Sequence, residues 1–356
     1  MTQYHTTTVD QFEIKHLQFL NAEGELTQAL PNDVTIDKLV ALYQSMLTLR
    51  TFDKKTINLQ RTGQMGTYPS CHGAEAFSMG IADALTPADV FCPYYRDQGV
   101  LMHRKQNLLG ILQYWGGNEK GSLLQHAEDF PVCVPIASQC LHAAGVAFSF
   151  QYRQEARVAV CTIGEGGTSE GDFYEAMNVA GTWQLPIVFM VNNNQWAISV
   201  PLSQQTRCKT IAQKAIAAGF EGLQIDGNDV VAVRQATEQA LNKARSGGGP
   251  TLIEALSYRL CDHTTADDAT RYQPNDEREL AKAFEPLRRV KHFLIHNQYL
   301  NEADCESMQS TSDRLVNEAI QQYQDQPPCP PTAAFDHLYE RLPDAYIEQY
   351  DEIGAR

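Results

Sequence analysis

The chain has 356 residues, of which 43% are hydrophobic and 20% charged, with a formal net charge of −15 at pH 7. This suits one large globular α/β domain with extensions, or two smaller domains. An acidic chain repels a phosphate backbone, which argues against nucleic acid as a partner. The nine cysteines (Cys71, Cys92, Cys133, Cys140, Cys161, Cys208, Cys261, Cys305 and Cys329) form no CxxC pair. They read as reduced, mostly buried thiols of a cytoplasmic protein.

Residues 1–19 lack a basic start and an apolar run, and carry Asp10 and Glu13 but no Arg. That fits neither a secretory signal nor an organelle transit peptide. Residues 1–30 are polar and irregular and read as an arm. From Thr35 to about Leu59 the positions Leu39, Leu42, Met46 and Leu49 recur at helical spacing. A Gly-rich stretch from Gly63 to Gly73 precedes a helix over Ala74–Ala84, a strand at Val90–Cys92 and the segment PYYRDQG. Ala156–Ile163 is a β-branched apolar run, hence a buried strand, and it breaks at Gly164-Glu165-Gly166-Gly167. Ser169 reads as a helix cap, with Asp172 completing an imperfect capping box, and that helix runs to about Trp183. After Pro186 a second apolar strand, IVFMV, ends at Asn192-Asn193-Asn194. Asp229–Arg245 reads as a helix capped by Asp229 and stopped by Gly247–Gly249, and Thr251–Tyr258 as the next strand.

The alternation predicts an α/β fold built on a doubly wound parallel sheet, with helical N- and C-terminal extensions. The chain turns helical and charged after residue 275, and PPCPP (327–331) breaks it. The expected plan is an arm (1–34), an α/β domain with a helical C-terminal part (35–326) and a tail (327–356). No apolar stretch approaches the roughly 18 residues of a membrane span.

Glu165 and Asn194 each follow a strand and stand about thirty positions apart, one crossover unit. If the strands are parallel neighbours, both side chains lie at the carboxyl edge of the sheet, where α/β proteins bind ligands. A carboxylate and an amide oxygen suit Mg²⁺, and glycines before a helix N-terminus suit a phosphate. The competing reading is a Gly-rich turn and an Asn that merely ends a strand. GxGxxG fails because Ser169 stands at its third glycine, and no Walker A pattern occurs.

The segment GEGGTSEGDFYEAMNVAGTWQLPIVFMVNNNQWAIS resembles the thiamine diphosphate motif, Gly-Asp/Glu-Gly followed after some thirty residues by Asn-Asn. Its AIS ending resembles the alpha subunits of the decarboxylating components of 2-oxo acid dehydrogenase complexes. The likeness extends to GAEAFSMG (73–80), YYRDQGVLMHR (94–104), KGSLLQH (120–126), PIASQ (135–139) and YRLCDHTTADDATRY (258–272).

The resemblance implies a thiamine diphosphate-binding fold and a set of roles. Glu165, Asn194 and the Trp196 carbonyl match Mg²⁺ ligands. Tyr95 and Arg96 match the pair that holds the diphosphate, with Gly164, Gly166 and Gly167 as the backbone cradle. Val134 and Ile136 match the segment beside the cofactor's rings, and His263 the histidine that meets the diphosphate and assists acyl transfer. Pro135, Ser138 and Gln139 match a structural K⁺ site of some relatives, and Thr264 a position phosphorylated in some. Read alone, Arg96 would be a surface salt bridge, Ile136 core, and His263 part of a polar loop capped by Asp267 and Asp268.

Three positions depart from the pattern: Glu165 replaces the commoner Asp, Asn192 stands where some relatives have Arg, and Cys261 replaces a small residue. The resemblance further implies a small 2-oxo acid substrate, a beta subunit completing an α₂β₂ heterotetramer, and a lipoyl domain as acceptor. GGTSEGDFYE and QKAIAAG resemble pyruvate-type subunits, while GEG and YRDQGVLMHR resemble branched-chain ones. Outside the family, a nucleotide-binding α/β protein or a non-catalytic scaffold remains open.

Overall fold

The computed structural model describes residues 6–336 and 338–355. The first five residues of the expected arm, and positions 337 and 356 of the expected tail, lie outside the described residues. The strands in chain order are β1 (Lys15–Leu17), β2 (Val90–Cys92), β3 (Ala159–Gly164), β4 (Ile187–Asn193), β5 (Trp196–Ala197), β6 (Val200–Pro201), β7 (Glu221–Asp226) and β8 (Thr251–Leu256). Six of them form one parallel sheet in the order β1-β7-β8-β4-β3-β2, and β5 pairs antiparallel with β6.

Side chains alternate across a pleated strand, and here both faces are apolar because both are covered. On one face Val160, Val188 and Met190 meet Phe77 and Ile81 of the helix Glu75–Ala84 and Val233 and Ala236 of the helix Val230–Arg245. On the other, Cys161, Phe189 and Val191 meet Ala143 and Ala147 of the helix Ser138–Arg153 and Phe173 and Met177 of the helix Gly171–Trp183. β3 and β4 are parallel neighbours with Gly164 opposite Asn192, so the chain leaves both strands at one edge. The exit from β8 is stitched there too: Ser257 N–H donates to Asn193 O (2.9 Å) and Arg259 N–H to Asn194 O (3.1 Å).

Asp229 caps its helix as expected, taking the N–H groups of Val231 (3.0 Å) and Ala232 (3.3 Å) on one oxygen. Its other oxygen takes the N–H groups of Phe19 (2.6 Å) and Leu20 (2.7 Å). That corrects the reading of the N-terminal residues as irregular: β1 joins the sheet edge, Lys15 opposite Leu223. The expected Ser169 cap is also corrected. Gly166–Ser169 forms a 3₁₀ turn, the helix begins at Gly171, and Glu170 at its cap makes no side-chain capping bond. β7, the helix Ser138–Arg153 and the β5–β6 pair have no counterpart in the sequence reading.

The helices Asn275–Ala283, Pro286–His296 and Glu302–Gln324 form the C-terminal helical part. The last lies on the N-terminal helix Ile36–Arg61, where Gln44 and Thr48 both bond Ser312 (2.9 Å each). Among the described residues no helix is long and apolar enough to cross a membrane. All nine cysteines are free.

Candidate functional site

A cavity of about 740 Å³ opens at the carboxyl edge of β2, β3 and β4, and Tyr95, Arg96, Val134, Ile136, Gln139, Gly164, Glu165, Gly166, Gly167, Asn194, Trp196, His263 and Thr264 line it, whereas Pro135 and Ser138 do not. Glu165 enters from the turn after β3 and is only 2% exposed. Its Oε2 accepts the Asn194 N–H (3.3 Å), while Oε1 has no hydrogen-bond partner. Burial pushes its carboxyl above the ordinary range, with the Asn194 contact and Arg259 opposing. An orphaned carboxylate oxygen facing a cavity fits a cation. Asn194 Oδ1 accepts the Trp196 N–H (3.3 Å), and the Trp196 carbonyl accepts from Arg259 Nη1 (3.1 Å). That carbonyl keeps a second lone pair.

The glycines are required by space. A Cβ on Gly166 would stand 2.5 Å from Ala197 Cβ, and one on Gly167 would stand 2.7 Å from Ile163 Cγ1 and 3.1 Å from Ile136 Cγ2. Val134 and Ile136 are about half exposed, at 51% and 47%, so Ile136 is a wall of the cavity and not core.

Arg96, at 3% exposure, is no surface salt bridge. Nη1 donates to Ser70 O, and Nη2 to His263 O (3.0 Å), with His263 Nδ1 at 3.3 Å, leaving Nε without a partner. The Tyr95 ring lies edge-on to His263, 6.0 Å between centroids. Burial, then Arg96 and Arg259, push the imidazole down to about 3. The ring is therefore neutral near pH 7, with Nδ1 facing the Arg96 donor. The capped-loop reading of this segment also holds: Asp267 takes the His263 N–H (2.8 Å) and Asp268 the Thr270 N–H (3.2 Å). The backbone of the loop is tied while the ring faces the cavity.

Asn192 does not line the cavity; it is buried between Tyr94 OH (3.1 Å) and Ser257 Oγ (2.8 Å). Cys261 lies beneath Arg96 with Sγ toward Ser70 O (3.9 Å), and burial pushes its thiol up to about 11. Gln139 donates to Thr162 O (2.8 Å) while its Oε1 is buried without a partner. Pro135 O accepts the Ser138 N–H (3.4 Å).

Sequence reasoning passes over Arg259 and the strap 67–70. Arg259 ties together the carbonyls of Trp196, Ile198 (2.8 Å) and Cys261 (3.2 Å) and the Tyr272 hydroxyl (2.7 Å). The strap takes Gln98 Nε2 on Pro69 O (3.0 Å) and bonds Thr265 through both polar backbone groups of Tyr68. These are long-range contacts without a spacing signature.

Residues 43–332 match the family model described as "Dehydrogenase E1 component". The chain is 36% identical over 336 residues to the pyruvate dehydrogenase E1 component subunit alpha of Mycoplasma genitalium, covering 93% of each. It is 36% identical over 349 residues to the subunit of the same name from Staphylococcus aureus, covering 97% of this chain and 93% of that one. It is 35% identical over 346 residues to the 3-methyl-2-oxobutanoate dehydrogenase subunit alpha of Mycobacterium tuberculosis, covering 96% and 94%. Fold, cavity and relatives together define an enzyme of the 2-oxo acid dehydrogenase class. The chain belongs to the dehydrogenase E1 component family.

Proposed function

We propose that this chain is the alpha subunit of a pyruvate dehydrogenase E1 component, decarboxylating pyruvate and passing the acetyl unit to a lipoyl domain. The observation that carries the site assignment is the unpartnered Glu165 Oε1 set beside Asn194 by the β3–β4 register. Glu165, Asn194 and the Trp196 carbonyl would hold Mg²⁺. Arg96, Tyr95 and the Gly164–Gly167 backbone would receive the diphosphate of thiamine diphosphate. Val134 and Ile136 would shield its rings from water. Thiamine diphosphate supplies the carbanion-stabilising chemistry that a protein side chain lacks. His263, neutral and beside Arg96, would hold a proton at Nε2 for transfer within the cavity. The buried Gln139 Oε1, with the Pro135 carbonyl and Ser138, suits a structural K⁺.

The remaining machinery comes from a beta subunit in an α₂β₂ assembly, and the half-exposed Val134 and Ile136 support a partner closing the cavity. The setting is cytoplasmic. A branched-chain 2-oxo acid is the second reading, supported by the mycobacterial relative at nearly equal identity. Pockets that differ by one or two methylenes discriminate by only about 1–3 kcal/mol each. The test is decarboxylation by the reconstituted alpha and beta chains with Mg²⁺ and thiamine diphosphate. A kcat/KM for pyruvate at least tenfold above that for 3-methyl-2-oxobutanoate is expected, and the reverse order assigns the branched acid.

A further inference from the structure

Lys214 opens the short helix Lys214–Ala217 and is 6% exposed. Its Nζ donates to Thr168 O (2.6 Å) and Thr168 Oγ1 (2.9 Å) and sits 5.0 Å from the centroid of the Tyr174 ring. No carboxylate among the described residues forms an ion pair with it. Glu254, which takes the Ala212 N–H (3.1 Å) two residues earlier, is occupied by Asn193 (2.7 Å) and Gln224 (3.2 Å). Burying an ammonium without a counter-charge is unfavourable, and here dipoles and a ring alone surround it, so its positive field is left free to favour an anion on the far side of the turn.

Thr168 belongs to the Gly166–Ser169 turn whose glycines face the cavity. The Thr168 hydroxyl also donates to the Glu165 carbonyl (2.6 Å). Lys214 thus holds Thr168, which lies within the glycine turn and bonds the backbone of Glu165. We propose that Lys214 is a positioning residue for the anionic end of the bound cofactor, setting the turn through Thr168 and adding its charge to the anion site; this rests on the diphosphate reading of the cavity. Lys214 does not line the cavity, so its action is on affinity for the anion and not on the rings.

The experiment titrates the reconstituted alpha–beta complex with thiamine diphosphate, thiamine and inorganic pyrophosphate, each with Mg²⁺, following heat or tryptophan fluorescence. Lys214→Met is expected to weaken thiamine diphosphate and pyrophosphate about 10- to 100-fold and to leave thiamine unchanged, with Lys214→Arg restoring most of the affinity. Equal losses for thiamine and thiamine diphosphate, or no loss for either phosphate ligand, overturn the inference. If Lys214→Met fails to assemble, Lys214→Gln decides by the same criteria, since it keeps a donor for Thr168 and removes the charge. A wild-type complex that binds pyrophosphate but not thiamine diphosphate refutes the cofactor reading instead, and the pyrophosphate comparison still judges Lys214.

Discussion

Glu165 is held at the cost of desolvating a carboxylate that the folded chain satisfies on only one oxygen. Glu165→Gln keeps the shape and removes the charge. It is expected to raise the thermal midpoint of the metal-free chain, by about 1 kcal/mol of stability, and to abolish Mg²⁺-dependent cofactor binding. Calorimetric melts with and without Mg²⁺ check both halves; a variant that melts lower and still binds would remove the site assignment. His263 gives a pH dependence of definite sign. Its folded value of about 3 lies below the ordinary 6.5, so the unfolded chain takes up the proton first. Its contribution to stability is whole above pH 6.5 and is lost as pH falls toward 3. On the cofactor reading proposed above, a diphosphate beside the ring would offset Arg96 and Arg259 and raise that value. Cofactor binding between about pH 3 and 6.5 is therefore expected to take up protons, seen as a dependence of the binding heat on buffer ionisation enthalpy. The same uptake in His263→Asn would assign the proton elsewhere.

Among the elements, the β3–turn–helix–β4 unit was legible because its signals are local: a buried apolar run, consecutive glycines, a periodic helix and a second apolar run. Those same residues carry Glu165 and Asn194, so half of the candidate site came with the strand reading. Tyr95, Arg96 and His263 came only through the resemblance, because nothing periodic marks a loop residue. β1 and β7 were missed for a different reason. KHL is only three residues long and pairs with a strand some 200 residues away, while EGLQID is polar at several positions and mostly only partly buried, so neither shows a clean apolar run. Ser169 reads as a cap, but the Gly166–Ser169 turn takes it up and moves the helix start to Gly171. Two predictions belong here. Gly166→Ala meets Ala197 Cβ and is expected to cost at least tenfold in cofactor affinity with the fold retained by circular dichroism. Asp229→Ala frees the Phe19 and Leu20 N–H groups together with a helix end; a loss of about 2–4 kcal/mol and early proteolytic cutting within residues 6–34 are expected.

At the scale of the whole molecule, the cavity is open on the side of Val134, Ile136 and Ile198, each about half exposed. The helices Ser138–Arg153 and Gly171–Trp183 carry Phe148, Tyr152 and Trp183 outward from the same layer. A wall of this kind supports the proposed contact with a beta chain. The alpha chain alone is expected to show no decarboxylation and to gain it on mixing with its beta partner. Phe148→Glu should weaken assembly in sedimentation without changing the melt of the isolated chain. Full turnover by the isolated chain would end the heterotetramer reading.

The two margins of the sheet, β1 and β2, are three residues long, against six or seven for the strands between them. β2 is further closed by Asp129, which takes the Phe91 N–H (2.8 Å), and by Phe130, which donates to Phe91 O (2.9 Å). Lys15 stands on β1. Neither margin therefore offers a free template long enough to recruit a strand from another molecule. On the heterotetramer reading proposed above, a surplus of this chain would be guarded against fibrillar self-association, and whatever clumping occurs should proceed through exposed aromatic side chains and yield to added beta chain.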